Sequence, residues 1–178
     1  ADLFRSYNVG KLDRQAAELG YGSDGLVVLP YFLGEKTPLH DPSARGAIIG
    51  LGLHHGPADI HRAILEAVAF GFRHHLEILA ELGLRPSRAV ATDGGARSTL
   101  WRQITADVLR LPIAYQADHP GSALGAAFAA GIGSGLLSDW RQICDYVHVT
   151  SVTEPRPQLA GRYDELYGRP EYRFVDQH

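Results

Sequence analysis

The 178-residue chain is 45% hydrophobic and 21% charged, a composition that suits a globular domain with a real core and argues against disordered or fibrous structure. Its net charge of −3 provides no basic field for nucleic acid or an anionic membrane, so neither is expected as a partner. The single cysteine, Cys144, cannot form an internal disulfide, and no apolar run is long enough to span a bilayer. These features favour the cytoplasm.

The first half of the chain contains a short helix signal, two apolar strands and one long helix signal. The short helix is predicted at about 10–19, and the strands lie in GLVVLPYF and AIIGLGL, on either side of the proline-containing loop LGEKTPLHDPSARG. The long helix is predicted over 57–82, where apolar and small residues recur at helical spacing. Pro57 suits the first helical turn, and Gly83 with Pro86 marks the end.

The second half alternates strands and helices. AVAT and PIAY are predicted strands, STLWRQITADVLRL and SALGAAFAAGIGSGLL are predicted helices, and 153–178 is predicted to hold a terminal helix docked by aromatic residues. Short apolar strands separated by helices predict an α/β domain with a parallel-strand core and right-handed crossover helices. Because no internal repeat or linker interrupts the sequence, 1–178 is predicted to form a single domain. The inward residues predicted for these elements are Leu100, Ile104, Val108, Leu111, Tyr163, Leu166, Tyr167, Tyr172 and Phe174.

The motif that indicates chemistry is the turn Asp93-Gly94-Gly95-Ala96, which follows the AVAT strand and precedes a helix. Two successive glycines let a ligand approach the backbone, and the N-terminus of a helix presents unpaired N–H groups to an anion. Ser98 and Thr99 could cap the helix or turn their hydroxyls toward a ribose or base. A glycine-rich turn at this position is also common for steric reasons alone, so the motif by itself leaves both interpretations open.

Three segments taken together resemble the second half of the FGGY carbohydrate kinases. They are the loop LPYFLGEKTPLHDPSARGAIIGL, a signature that runs from Gly46 to Glu66, and DGGARSTLWRQITADVL followed by ALGAAFAAG. Order and spacing agree over roughly 20–140, with a weaker likeness at YDELY. The resemblance implies an actin-like ATPase, ribonuclease H-like fold. It also implies that this chain is the C-terminal nucleotide-binding half of an ATP-dependent sugar or polyol kinase.

The resemblance further implies which residues bind and which functions lie elsewhere. It places nucleotide contacts at Gly94, Gly95 and Ala96, with Ser98 and Thr99 near the ribose or base. The catalytic base, the Mg²⁺ site and most sugar contacts belong to the family's N-terminal half, so this chain is expected to contain no catalytic or metal-ligating residue and to be inactive alone. Expected partners are ATP or ADP, a sugar or polyol, the N-terminal domain and, for the full-length protein, a second copy in a homodimer.

The first guess for the substrate is a ketopentose such as xylulose, because GEKTP and DPSARG most resemble the xylulokinase-like branch; other pentuloses, polyols and glycerol follow. Asp93 stands where the xylulokinase-like branch has glycine. Glycerol kinases also have Asp-Gly-Gly at this position, so the motif leaves the substrate open. The rival hypotheses are a non-catalytic nucleotide-binding or scaffold domain of the same fold, and another actin-like phosphotransferase.

Other motifs favour structural roles. GEKT lacks the glycines of a Walker A loop, so it is not predicted to be a P-loop. The adjacent His74 and His75 point about 100° apart on a helix, so they cannot both bind one metal ion from the same face. Because the similar loop of the family lies near the domain cleft, the resemblance leaves open that Glu35 and Lys36 orient the substrate or brace the interdomain contact. Asp41 and Arg45 are predicted to fix their loop through a turn or an ion pair.

Overall fold

A computed structural model of the protein describes residues 8–37, 40–117 and 119–173. The described elements alternate helices with three-residue strands, and short 3₁₀ turns lie between some of them. In chain order they are α1 (Val9–Glu18), β1 (Val27–Leu29), β2 (Ala47–Ile49), α2 (Pro57–Glu81), β3 (Ala89–Ala91), α3 (Asp93–Ala96), α4 (Thr99–Leu109), β4 (Ile113–Tyr115), α5 (Ser122–Gly133), β5 (Ser151–Thr153), α6 (Ala160–Tyr167) and α7 (Pro170–Arg173).

Helix α2 extends over the segment that the sequence predicts. Pro57 occupies the first turn, and the Gly56 N–H donates to the Asp59 carboxylate at 2.8 Å, which satisfies an N-terminal amide. The helix ends before Gly83, which adopts φ +79°. This left-handed conformation favours glycine, so the stop signal in the sequence works as predicted.

Strand pairing is mixed, which corrects the expectation of parallel pairing throughout. Strands β3 and β4 are parallel, as predicted for two strands joined by a helix. Strands β1 and β2 instead pair antiparallel and form a separate two-stranded sheet, because the described part of the connection between them contains no helix to carry the chain back. Strand β5, which was not predicted, pairs antiparallel with β4 and gives the three-stranded order β3-β4-β5.

The core consists of two apolar clusters on either side of α2. The first lies among α2, α4 and α6, and the second joins α2 to β1. Their buried members are Ala69, Phe70, Ile104, Val108, Tyr163 and Leu166 in the first, and Leu26, Val28, Ala63 and Ala67 in the second. Helix α2 is therefore the central element, because α4, which follows the Asp93–Ala96 motif, and α6 near the C-terminus both pack on it.

The C-terminal region is more divided than predicted. In place of one helix in 153–178, the chain ends β5 at Thr153, makes a 3₁₀ turn at Pro157–Leu159 and then forms α6 and α7. The predicted aromatic docking is confirmed for Tyr163, which is fully buried, and Phe174 lies outside the described residues. Prolines at 157 and 170 each start a new helical segment, and this explains why a single helix does not form.

Candidate functional site

The predicted nucleotide motif forms an exposed turn at the carboxyl end of β3. We call the segment 93–97 the glycine turn; its first four residues form α3, a single helical turn. Gly94 and Gly95 are both exposed, and a Cβ placed on Gly94 would meet nothing within 4 Å. A Cβ on Gly95 would first meet the Trp101 ring, at 3.5 Å. The turn is therefore open to solvent, and its leading amides lack intrahelical partners.

Two helices, not one, follow β3. The sequence predicts that the turn 93–96 leads directly into a helix; in the structure the turn is itself one helical turn, and Arg97 and Ser98 separate it from α4. Ser98 caps α4, since its Oγ accepts the Trp101 N–H at 3.0 Å, as predicted. Thr99 begins α4 and is exposed. Ser98 and Thr99 are thus the two residues at the start of α4, just after the glycine turn.

Ala96 differs from its glycine neighbours because the whole residue is buried. Its carbonyl accepts a hydrogen bond from Arg102 Nη1, and the Arg102 guanidinium stacks on the Tyr115 ring with 4.3 Å to the centroid. Ala96 therefore offers no exposed group to a ligand, in contrast to Gly94 and Gly95. The same contacts fix the end of the glycine turn to α4 and β4.

A buried polar network that is centred on Glu66 of α2 was not predicted. Glu66 Oε1 accepts from the Gly22 N–H at 3.0 Å, from Arg62 Nε at 3.1 Å and from the Tyr163 hydroxyl at 3.1 Å, and Oε2 accepts from the Ser23 hydroxyl at 3.0 Å. Arg62 is 3% exposed and Glu66 2%. The sequence signal was an Arg and a Glu four residues apart in a predicted helix, the spacing at which opposite charges pair.

The network perturbs the titration of its members. Burial raises the pKa of Glu66 above its ordinary value, against the lowering effect of Arg62 and the other donors. Burial also raises the pKa of Tyr163, and the negative charge of Glu66 raises it further. All the groups around Glu66 donate to it, so the carboxyl group acts as an acceptor that joins α2, the turn at Gly22 and α6.

The loop between β1 and β2 is fixed by local hydrogen bonds, as predicted for Asp41. Asp41 Oδ1 accepts from the N–H groups of Ser43 at 2.8 Å and Ala44 at 3.1 Å, which makes the predicted turn. Arg45 donates to two backbone carbonyls of the same loop. The Glu35 carboxylate accepts the Thr37 N–H at 2.9 Å. These contacts account for Glu35, Asp41 and Arg45 without assigning them a catalytic role.

One group of side chains within the described residues has the composition of a metal site. Ligand atoms of Asp24, His54 and His55 lie within 4.8 Å of one another. His55 Nδ1 accepts the Gly52 N–H at 2.9 Å, which places the ring proton on Nε2, and Nε2 faces the Asp24 carbonyl at 3.4 Å. A protonated nitrogen offers no lone pair to a metal. His55 is thus a structural side chain, and we assign no metal to this group.

Across the three described ranges, no helix combines the length and the apolar composition that crossing a membrane would need.

Comparison with known proteins identifies relatives of the whole chain. Residues 5–134 match the sequence profile described as "FGGY family of carbohydrate kinases, C-terminal domain". The chain is 31% identical over 147 residues to the xylulose kinase of Bacillus subtilis, a match that covers 82% of this chain. It is 31% identical over 156 residues to the gluconokinase of Bacillus licheniformis, covering 87% of this chain.

A solved structure agrees with these relatives. The structure aligns with the crystal structure of xylulose kinase from Rhodospirillum rubrum at a TM-score of 0.82 and 42% identity, over 98% of this chain. The match covers 35% of that chain and 30% of each of the two Bacillus enzymes, so this chain spans about a third of the relatives' length. The fold is the actin-like ATPase fold of these kinases, and the chain belongs to the FGGY family of carbohydrate kinases, where it corresponds to the C-terminal domain.

Proposed function

We propose that the parent protein transfers the γ-phosphoryl group of ATP to a hydroxyl of a sugar or polyol, and that this chain supplies the ATP- and ADP-binding half. The observation that carries the proposal is the open glycine turn at the carboxyl end of β3. Two exposed glycines let phosphate oxygens reach backbone amides, and the partial positive charge of a helical first turn favours an anion there.

The exposed residues of the predicted site have roles that their geometry allows. The amides of Gly94 and Gly95 would donate to phosphate or ribose oxygens, and the buried Ala96 would hold the turn in place through its bond to Arg102. Thr99 is exposed and would reach the ribose or base with its hydroxyl. Ser98 Oγ already accepts the Trp101 N–H, and its own proton remains available to donate to the nucleotide.

Transfer also needs a base to accept the proton of the sugar hydroxyl and a Mg²⁺ ion to neutralise phosphate charge. We place both mainly in the remainder of the parent chain, together with most of the sugar contacts. Without them, this chain would bind nucleotide but not hold nucleophile and phosphate in line. Its main partner is then the N-terminal domain of the same protein, with a homodimer proposed for the full-length kinase.

The proposed substrate is a ketopentose such as xylulose, which the likeness to xylulose kinases supports. The gluconokinase relative makes gluconate the competing substrate. We propose a cytoplasmic location, since ATP is available there and the exposed thiol of Cys144 suits a reducing compartment.

The nucleotide site is tested by calorimetric titration of this chain with ATP and ADP. Gly94→Val places a branched side chain in the open face of the glycine turn and is expected to weaken binding at least about tenfold, since phosphate can no longer approach the amides. Gly133→Val is the matched control, because Gly133 is also a helical glycine with nothing within 4 Å of an added Cβ. Equal affinity of wild type and Gly94→Val would contradict the assigned site.

The proposal that this chain binds nucleotide but lacks the catalytic base is tested by a coupled assay of ADP release. The parent kinase should turn over with xylulose in preference to glycerol and gluconate, while this chain alone should release no ADP in response to any of them. Sustained turnover by the isolated chain would show that it contains the catalytic base.

A further inference from the structure

The Arg102 side chain connects the glycine turn to the interior of the domain. Arg102 lies in α4 and reaches back to the turn, where its Nη1 donates to the Ala96 carbonyl. The same peptide group includes the Arg97 N–H, which donates to the Gly94 carbonyl at 3.3 Å. Because a peptide group is planar and rigid, the bond to Ala96 also limits where Gly94 can lie.

The guanidinium of Arg102 is itself held in place by β4. It stacks on the Tyr115 ring with 4.3 Å to the centroid, and the Tyr115 carbonyl accepts the Thr150 N–H at 2.7 Å. Arg102 is only 8% exposed, so packing limits its rotamers. A planar guanidinium that is already fixed on a ring loses little freedom when it donates a hydrogen bond, so Arg102 is suited to hold the Ala96 carbonyl in one position.

Arg102 is also a buried positive charge without a carboxylate partner among the described residues. The arginines that form ion pairs there are Arg62, Arg73, Arg110 and Arg156. Arg62 is similarly buried, at 3% exposed, but the Glu66 carboxylate faces it at 3.1 Å. Arg102 Nε, by contrast, has no hydrogen-bond partner in the part of the chain that the structure describes. Since a buried charge is unfavourable without an opposite charge, an anion that binds near Arg102 would be stabilised.

We propose that Arg102 is a positioning residue of the nucleotide site, which holds the glycine turn from its buried side and supplies a positive charge that favours the phosphates of ATP. The inference rests on the proposed function, because that function brings phosphates to this turn. Arg102 is buried and does not touch the nucleotide. It acts through the Ala96 carbonyl and through its electrostatic field, which water and salt screen poorly in the interior.

The test is nucleotide binding by the parent kinase, measured by calorimetry with ATP, ADP and adenosine. Arg102→Gln removes the charge and keeps a polar side chain. It should weaken the binding of ATP and ADP at least about tenfold and change that of adenosine less than about twofold, because adenosine carries no phosphate. A merely structural change would weaken all three ligands alike, and that result would overturn the proposal, as would unchanged affinity for all three.

Arg102→Lys separates the charge from the stacking contact. Lysine keeps a positive charge and a donor for the Ala96 carbonyl, but it lacks the planar group that stacks on Tyr115. ATP should therefore bind to Arg102→Lys within about threefold of the wild-type affinity. A loss as large as that of Arg102→Gln would overturn the proposal, since the charge would then not be what matters.

Arg73→Gln is the matched control for loss of a stacked arginine. Arg73 stacks on the Tyr167 ring with 4.4 Å to the centroid and donates to the Asp164 carboxylate of α6 at 2.9 Å. Its replacement should lower Tm and leave KM for ATP unchanged, whereas Arg102→Gln should raise KM for ATP at least about tenfold without changing KM for the sugar. An equal rise of KM for ATP in both variants would refute the assignment, because general destabilisation would explain it.

The wild-type parent kinase separates this inference from the proposed function. If the proposed function fails, the wild type binds no ATP, or Gly94→Val binds it equally well. If only the role of Arg102 fails, the wild type binds ATP more tightly than Gly94→Val, while Arg102→Gln binds it as tightly as the wild type.

Discussion

Replacing Glu66 by glutamine tests whether the buried network stabilises the domain. The change keeps the shape of the side chain and removes the negative charge that faces Arg62 at 3.1 Å. Removing one member of a buried ion pair costs about 3–5 kcal/mol, because the other charge stays buried without a counter-charge. The amide oxygen can still accept from Gly22 and Tyr163, so we expect the lower end, about 3 kcal/mol, in the free energy of unfolding.

That loss corresponds to a fall in Tm of roughly 6–12 °C for a chain of this size. The control is Glu77→Gln, which alters a second Arg–Glu pair at the same spacing on the same helix, with Arg73 Nε and Glu77 Oε1 at 3.3 Å. The Glu77 side chain is 48% exposed, so its replacement should cost less than about 1 kcal/mol. Urea and thermal unfolding measure both variants, and a Glu66→Gln shift no larger than that of Glu77→Gln would refute the reasoning.

Two further outcomes are expected. The side chain of Asp107 is fully buried, and it accepts from the Arg156 N–H at 2.7 Å and from the Arg156 guanidinium at 2.7 and 3.0 Å. Asp107→Asn should therefore lower the free energy of unfolding by about 2–4 kcal/mol and speed proteolysis around 154–156. An unchanged cleavage rate would contradict this anchoring role. The pKa of Tyr163 is raised in the folded state, so the stability that its protonated phenol contributes is complete below the unfolded pKa of about 10 and is lost as pH rises through the folded pKa. Urea unfolding from pH 8 to 11 should therefore show a steeper fall in the free energy of unfolding for wild type than for Tyr163→Phe. Parallel slopes for the two proteins would contradict this expectation.

The helices were predictable because their signals are local. Periodicity, Pro57 and Gly83 define α2, and Ile104 with Val108 defines the buried face of α4. The pairing of β1 with β2 was not predictable from apolar runs of a few residues, since three-residue strands carry no periodic signal of direction. Strand β5 was missed for the same reason, because Ser151–Thr153 is short and mostly exposed.

In the candidate site, too, some features were predictable from the sequence and others were not. Gly94 and Gly95 follow a predicted strand, so their exposed position at its end was predictable from chain order. The direction of the Ala96 side chain was not, since it depends on Arg102 reaching back from the next helix to the Ala96 carbonyl. Glu66 was identified only as part of a motif, because its partners Gly22 and Tyr163 are distant in sequence and no local pattern connects them to it.

The Glu66 contacts also bear on the order in which the chain acquires its structure. Glu66 bonds to Gly22, 44 residues earlier, and to Tyr163, 97 residues later. During synthesis, α2 is made before Tyr163, so Glu66 lacks this partner until 97 more residues have been added. Contacts of such separation slow folding and expose intermediates. Nascent chains stalled before residue 163 should therefore remain sensitive to protease and bound to chaperones, whereas chains stalled well beyond it should not.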